Sequence, residues 1–249
     1  MTSAASPNVE SWDRIAGKLS GESGPADDVI RYGEDLPTEA DLRLLGSLHG
    51  KRVLELGCGT GHNAVALVHQ GAKAIAIEPS EQLAACARRF AEMEQVRIEV
   101  RSGDLADLAF LRAETIDLAF SAGALGEVDD LDRVLRQVHR VLRPNAVFVC
   151  AVPHPFGLCV ARDASAGSGP LPLGRIELVR SYLDEGPVTV ERMGEPFTLF
   201  VRSLSSMFAA FTRAGFGVDH LLELAPVRSS DPGPTLPTTV VWRARREGL

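Results

Sequence analysis

The 249-residue chain reads as an α/β protein built on a mostly parallel sheet covered on both faces, and three observations carry that reading. Strand-length apolar runs alternate with amphipathic helical stretches along most of the chain. The first such run, "RVLELG" (52–57), breaks into glycines spaced every second residue before a helix begins. A composition of 45% hydrophobic and 24% charged residues suits one large domain with an elaborated cap.

Taken in order, "RVLELG" is a short buried strand, followed by a helix from about Asn63 to Gln70 that Gly71 terminates. "AIAIE" (74–78) is the second strand, and Pro79 and Ser80 open a helix with Leu83, Cys86, Ala87 and Phe90 on one face. "VRIEV" (96–100) alternates as a strand, and "TIDLAFS" (115–121) is an apolar one. "LDRVLRQVHRVL" (131–142) sets Leu131, Val134, Leu135, Val138 and Leu142 along one stripe, and "AVFVCAV" (146–152) is the most strand-like run present. Residues 153–203 break the pattern with Pro, Gly and Ser clusters such as "ASAGSGPLPLG", and read as a lid insertion. A helix over 204–215, a strand near 217–224 and a last strand over 238–244 resume it. The organisation expected is an N-terminal helical cap over 1–48 and a core over 49–249 that carries the lid after its fifth strand.

The net charge is -7, with 26 Lys plus Arg against 33 Asp plus Glu, and no basic run is present, which argues against a nucleic-acid partner. No apolar run approaches the ~18 residues that a membrane span needs, and a basic leader is absent, so the expected location is cytoplasmic. Cys58, Cys86, Cys150 and Cys159 lack C-x-x-C spacing, and no His/Cys/Asp cluster has metal-ligand spacing.

Glycine permits positive φ and close backbone approach, and a helix start just beyond offers unpaired N–H groups. Gly57, Gly59 and Gly61 therefore mark a ligand cradle. Dinucleotides and S-adenosylmethionine both use one at the end of a first strand. Here the spacing is G-x-G-x-G and Glu55 precedes it. An acid beside a pyrophosphate is unfavourable, whereas beside an ammonium and sulfonium it lowers the cost of burying positive charge. Glu78 closes the second strand, placed for the ribose hydroxyls of either ligand.

The blocks "VLELGCGTGHNAVAL", "AIAIEPSEQL", "SGDLADL", "IDLAFSAGALGEVDDLDRVLRQVHRVLRP" and "AVFVCAVPHPF", in this order, resemble the class I S-adenosylmethionine-dependent methyltransferases of the small-molecule group. The resemblance implies a Rossmann-like sheet of seven strands whose last strand is antiparallel, with "TTVVWRA" the hairpin partner of "GVDHLLEL". It implies that Glu55 lies near the methionine amino group, that Gly57, Cys58, Gly59 and Gly61 supply a backbone cradle, and that Glu78, with Pro79 beside it, binds the ribose. Asp104 would accept from the adenine amino group, Leu105 would cover the ring, and Ala122 and Gly123 would border the methionine. Where the family usually has Gly-Gly after "RVLRP", this chain has Asn145 and Ala146; Asn tolerates left-handed backbone, so the turn survives.

The expected activity is transfer of a methyl group to an O, C or N atom of a small-molecule acceptor by in-line displacement. The alternative is a protein of the same fold that binds S-adenosylmethionine without transferring methyl, as a rearrangement catalyst or binding module. A nicotinamide oxidoreductase is disfavoured by the glycine spacing and Glu55. His154, at the carboxyl end of the fifth strand, is the candidate general base. Tyr32 is the candidate lid residue over the methionine end. Tyr182, Phe197, Phe200 and Arg202 are candidate substrate contacts. The chain is expected to be a monomer or homodimer.

Overall fold

The computed structural model describes residues 6–22, 28–160, 177–227 and 236–248. Residues 25–27 of the N-terminal segment and most of the Pro/Gly/Ser-rich stretch, 161–176, lie outside the described residues. Five strands run parallel: β1 (Arg52–Leu56), β2 (Lys73–Glu78), β3 (Glu99–Ser102), β4 (Ile116–Ala122) and β5 (Leu142–Pro153). After a two-stranded hairpin of β6 (Gly186–Arg192) and β7 (Glu195–Val201), the chain returns through β8 (Phe216–Leu224) and β9 (Thr239–Arg246). β9 is inserted antiparallel between β5 and β8, which gives the order β3-β2-β1-β4-β5-β9-β8. That is the seven-stranded sheet with an antiparallel last strand that the resemblance implied.

Central strands buried on both faces read as continuous apolar runs, and successive residues serve opposite cores. Leu54 and Leu56 join Ile75, Val138, Phe148 and Trp242 on one face, whereas Val53 joins Leu67, Phe120 and Val241 on the other. The helices are α1 (Val9–Glu22), α2 (Glu39–Leu42), α3 (His62–His69), α4 (Glu81–Met93), α5 (Leu131–Val141) and α6 (Leu204–Arg213). α4 starts where the Ser80 hydroxyl accepts from Leu83 N–H at 3.1 Å, and α5 where Asp130 accepts from Arg133 N–H at 2.9 Å. The stripes expected on both helices are buried.

Two placements, the start of β3 and the stretch 186–201, differ from the sequence reading. β3 begins at Glu99 rather than Val96, because α4 ends with Gln95 at φ 56 and Val96 N–H bonded back to Ala91 O at 3.0 Å. The N-terminal segment contains a 14-residue helix, α1, in agreement with the helical cap expected there. The stretch 186–201 forms an antiparallel hairpin whose two-residue turn, Met193 and Gly194, has both φ values positive. Asn145 takes φ 64, the left-handed backbone expected of it.

Candidate functional site

At the carboxyl end of β1 the chain must turn out of the sheet and start α3 after a five-residue loop. Gly57, at φ 74, keeps its N–H on Ile77 O at 2.8 Å and leaves no room for a side chain: a Cβ there would lie 2.1 Å from the Ala124 Cβ. Gly61, at φ 95, brings the loop within 3.1 Å of the Ala87 backbone, measured from the position a Cβ would take. Bare backbone is thus a packing requirement at both ends of the loop, and it exposes the loop between them to a ligand.

Two acids flank this loop. Glu55 is buried in β1, and its Oε2 has no hydrogen-bond partner. Burial, with the Glu78 charge adding to it, pushes its carboxyl up to about 8. Glu78 ends β2; its Oε2 accepts from Gly59 N–H at 2.8 Å and its Oε1 from Ser80 N–H at 3.1 Å. Burial pushes it up to about 7, although those two donors pull the other way. Cys58 is pushed well above the ordinary thiol range by burial and by both carboxylates, so it is an inert filler rather than a nucleophile.

A pH dependence follows. Between about 4.5 and the raised values near 8 and 7, the folded chain holds protons on Glu55 and Glu78 that the unfolded chain has released. Stability from these groups is therefore greatest at the acid end and lost as pH rises. His139, lowered by burial and by Arg246, works in the opposite sense. The comparison that isolates the acid is Glu55→Gln: melting temperature should fall less between about pH 5.5 and 8 in the variant than in the parent. Parallel melting curves would contradict it.

The acids and glycines open on a cavity of about 860 Å³, large enough for a nucleoside and a second small molecule. Glu55, Gly57, Cys58, Gly59, Glu78, Pro79, Asp104, Leu105, Ala122, Gly123 and Phe200 border it, as does His62. Asp104 is held by its own loop, accepting Ala106 N–H at 2.8 Å. Gly61 stands behind the loop rather than on the wall. The far wall was not anticipated: Trp12 and Leu19 of α1, Glu127 after β4, and Arg192 of the hairpin all border the cavity.

The other candidates are placed elsewhere. His154, 3% exposed, shares a hydrogen bond between Nε2 and Glu223 at 2.8 Å and accepts Phe156 N–H on Nδ1 at 3.2 Å. With both nitrogens engaged and no face on the cavity, it ties the end of β5 to β8. That placement does not put the expected base on the cavity wall. Tyr32 is buried, donating its hydroxyl to Glu39 at 2.5 Å and setting its ring against Phe120. Phe197 is wholly buried against Trp12, with ring centres 4.6 Å apart. Tyr182 accepts Leu204 N–H at 3.2 Å, and Arg202 donates to the carbonyls of Val128 and Asp129 at 2.6 Å. None of these side chains borders the main cavity. His154→Ala should lower the melting temperature, since a buried pair of hydrogen bonds is worth ~1–3 kcal/mol, and leave S-adenosylhomocysteine affinity unchanged by calorimetry. A collapse in that affinity would return His154 to the site.

Among the described residues no group of three His, Cys, Asp or Glu side chains is arranged to hold a metal, and no helix is long and apolar enough to cross a membrane.

Residues 54–150 match a family model described as a methyltransferase domain. A ubiquinone biosynthesis O-methyltransferase of Azorhizobium caulinodans is 28% identical over 109 residues, 44% of this chain. The match spans only 43% of that relative's own length. A magnesium-protoporphyrin O-methyltransferase of Rhodobacter capsulatus is 31% identical over 51% of this chain and 58% of its own. Among solved structures, an S-adenosylmethionine-dependent methyltransferase from Mesorhizobium loti is 28% identical with a TM-score of 0.65, covering 82% of this chain and 95% of its own.

Proposed function

The sheet domain of this chain belongs to the class I S-adenosylmethionine-dependent methyltransferase family, and from that premise we propose that it methylates a small molecule from S-adenosylmethionine bound in the main cavity. The observation that carries this is the buried, unpartnered Oε2 of Glu55 at the head of the glycine loop. A buried acid with no partner is costly, and a cationic ligand group removes the cost. The loop itself fits, because Gly57 has no space for a Cβ and its neighbours expose backbone to the cavity.

In this reading Glu55 faces the positive end of the ligand, and Gly57, Cys58 and Gly59 approach it with backbone. Glu78 accepts from the ribose hydroxyls; each of its oxygens already takes one N–H and keeps a lone pair for a second donor. Asp104 and Leu105 take the adenine, and Ala122 and Gly123 border the methionine. The bound ligand supplies an electrophilic methyl group for in-line transfer to the acceptor. The chain's own part is to orient both molecules and exclude water, which is worth ~7–11 kcal/mol when alignment is correct. Both named relatives are O-methyltransferases, which favours oxygen as the acceptor atom. Phe200, Val128 and Trp12 give the acceptor an apolar wall.

The test is calorimetric titration with S-adenosylmethionine, then incubation of methyl-labelled S-adenosylmethionine with fractionated bacterial extract. Binding followed by label in a small-molecule fraction is the expected result. Tight binding with no label transferred would favour a non-transferring protein of the same fold, and absence of binding would sink both readings.

A further inference from the structure

Glu127 is a buried carboxylate that the transfer reaction does not use. It emerges at the carboxyl end of β4 because Gly123, at φ 90, turns the chain into one short helical turn. Gly126 lets that turn lie against Pro153: a Cβ there would sit 2.7 Å from its ring. On the cavity wall, Glu127 Oε2 accepts from Asn8 Nδ2 and from Trp12 Nε1, both at 2.8 Å, and Oε1 accepts from Arg192 Nη1 at 3.1 Å. Three of its lone pairs are committed to donors from two other elements.

Those elements are already joined to each other. The Asn8 amide exchanges two bonds with the backbone of Thr198, at 2.7 and 2.8 Å, which satisfies the outer edge of β7. Ser11 Oγ donates to Pro196 O at 2.7 Å, Arg14 meets Glu195 at 2.7 Å, and Trp12 stacks edge-on to Phe197. α1 and the β6–β7 hairpin are thus one cover over the cavity. The apolar side of α1 packs on α4, Ala16 against Leu83 and Cys86 with Trp12 and Leu19 beside them, and Ile15 is buried as well. Asp13 adds one bond to Ser80 at 2.5 Å.

We propose that Glu127 is a positioning residue: it latches the two-part cover to the sheet, fixes the Trp12 indole and the Arg192 guanidinium on the cavity wall, and so sets how long a bound nucleoside is retained. The proposal rests on the cofactor reading above. These bonds are charge-assisted and gather both parts of the cover on one buried carboxylate. Their loss frees Trp12 and Arg192 together, because both hang on one carboxylate.

Fluorine NMR of the full chain labelled with fluorotryptophan reads the two tryptophans separately; Trp12→Phe assigns the signals, and Trp242, in the core, reports folding. S-adenosylhomocysteine release is timed by stopped flow. In Glu127→Ala the Trp12 signal should move towards that of a solvated indole while Trp242 stays put. Release should quicken roughly ten- to a hundredfold, as loss of charge-assisted bonds implies. Glu127→Gln, which keeps an oxygen acceptor, should fall between. An unmoved Trp12 signal, with release within about twofold of the parent, would overturn the latch. If Glu127→Ala loses the Trp242 signal through misfolding, Arg192→Met removes the hairpin's bond alone, and unchanged release in that variant would overturn it equally. If the parent binds no S-adenosylhomocysteine, the cofactor reading fails, and the Trp12 shift still decides the latch.

Discussion

Gly57→Ala is expected to abolish S-adenosylmethionine binding and to lower the melting temperature steeply. Two costs add at this position. A non-glycine residue at φ 74 is strained by ~1–2 kcal/mol, and an unrelieved contact in a packed core costs a further ~1–3 kcal/mol. The added Cβ would lie 2.1 Å from that of Ala124, so the turn over Ala124–Glu127 has to shift. That shift displaces Leu125 from the core and Glu127 from the cover. For a domain of this size ~2–5 kcal/mol corresponds to a fall of roughly 5–15 °C. Gly59→Ala is the control: its φ is 56, but nothing lies within 4 Å of the Cβ position, so it carries the backbone strain alone. Thermal melts and calorimetry with S-adenosylhomocysteine decide between them. Equal melting temperatures for the two variants would mean that the turn yields easily and that crowding at Gly57 is unimportant.

The same residues explain why half of this site could be read from the chain and half could not. Strand ends in an open sheet have fixed addresses, so Glu55, Gly57, Glu78 and Ala122 are found from the apolar run that each terminates. Such positions depend on local order alone. The far wall depends on contacts between residues more than a hundred apart, such as Asn8 and Trp12 with Glu127. Nothing local marks Glu127 in "GALGEVDD" as different from the aspartates that follow it. α1 carries Val9, Trp12, Ile15, Ala16 and Leu19 at helical spacing, which marks a helix but not what it covers. The hairpin did leave a signal: Val188 and Val190, then Phe197, Leu199 and Val201, alternate around Gly194. Its prolines and charges hid that alternation.

His154 marks a different limit. Its address at the end of β5 is correct for a crevice residue, but an address fixes the backbone and not the direction of the ring. A partner from β8, Glu223, turns the ring away from the cavity. That partner is 69 residues on, in a strand whose neighbour is set by the insertion of β9. Tyr32 fails for the same reason, drawn inward by Glu39.

Glu78→Ala should weaken S-adenosylmethionine binding by roughly a hundredfold or more, because hydrogen bonds to a charged acceptor are worth ~1.5–3 kcal/mol each and the ribose offers two donors. The loop suffers as well: Gly59 N–H and the buried Ser80 N–H lose their acceptor. Stability moves less than affinity, since the variant also removes a buried carboxylate whose ionisation is costly at neutral pH. It further removes the neighbouring charge that adds to the burial of Glu55 in holding that acid protonated. The pH slope of the melting temperature should therefore flatten in Glu78→Ala even though Glu55 is intact. Glu78→Gln keeps one oxygen acceptor and loses the charge, so it should recover one of the two loop bonds and only part of the affinity. The two readouts separate the roles of the residue. A flattened pH slope with affinity within about threefold of the parent would leave Glu78 as a loop brace and remove it from the ribose. Lost affinity with an unchanged slope would instead mean that neither the titration of Glu78 itself nor its charge beside Glu55 contributes to the pH dependence.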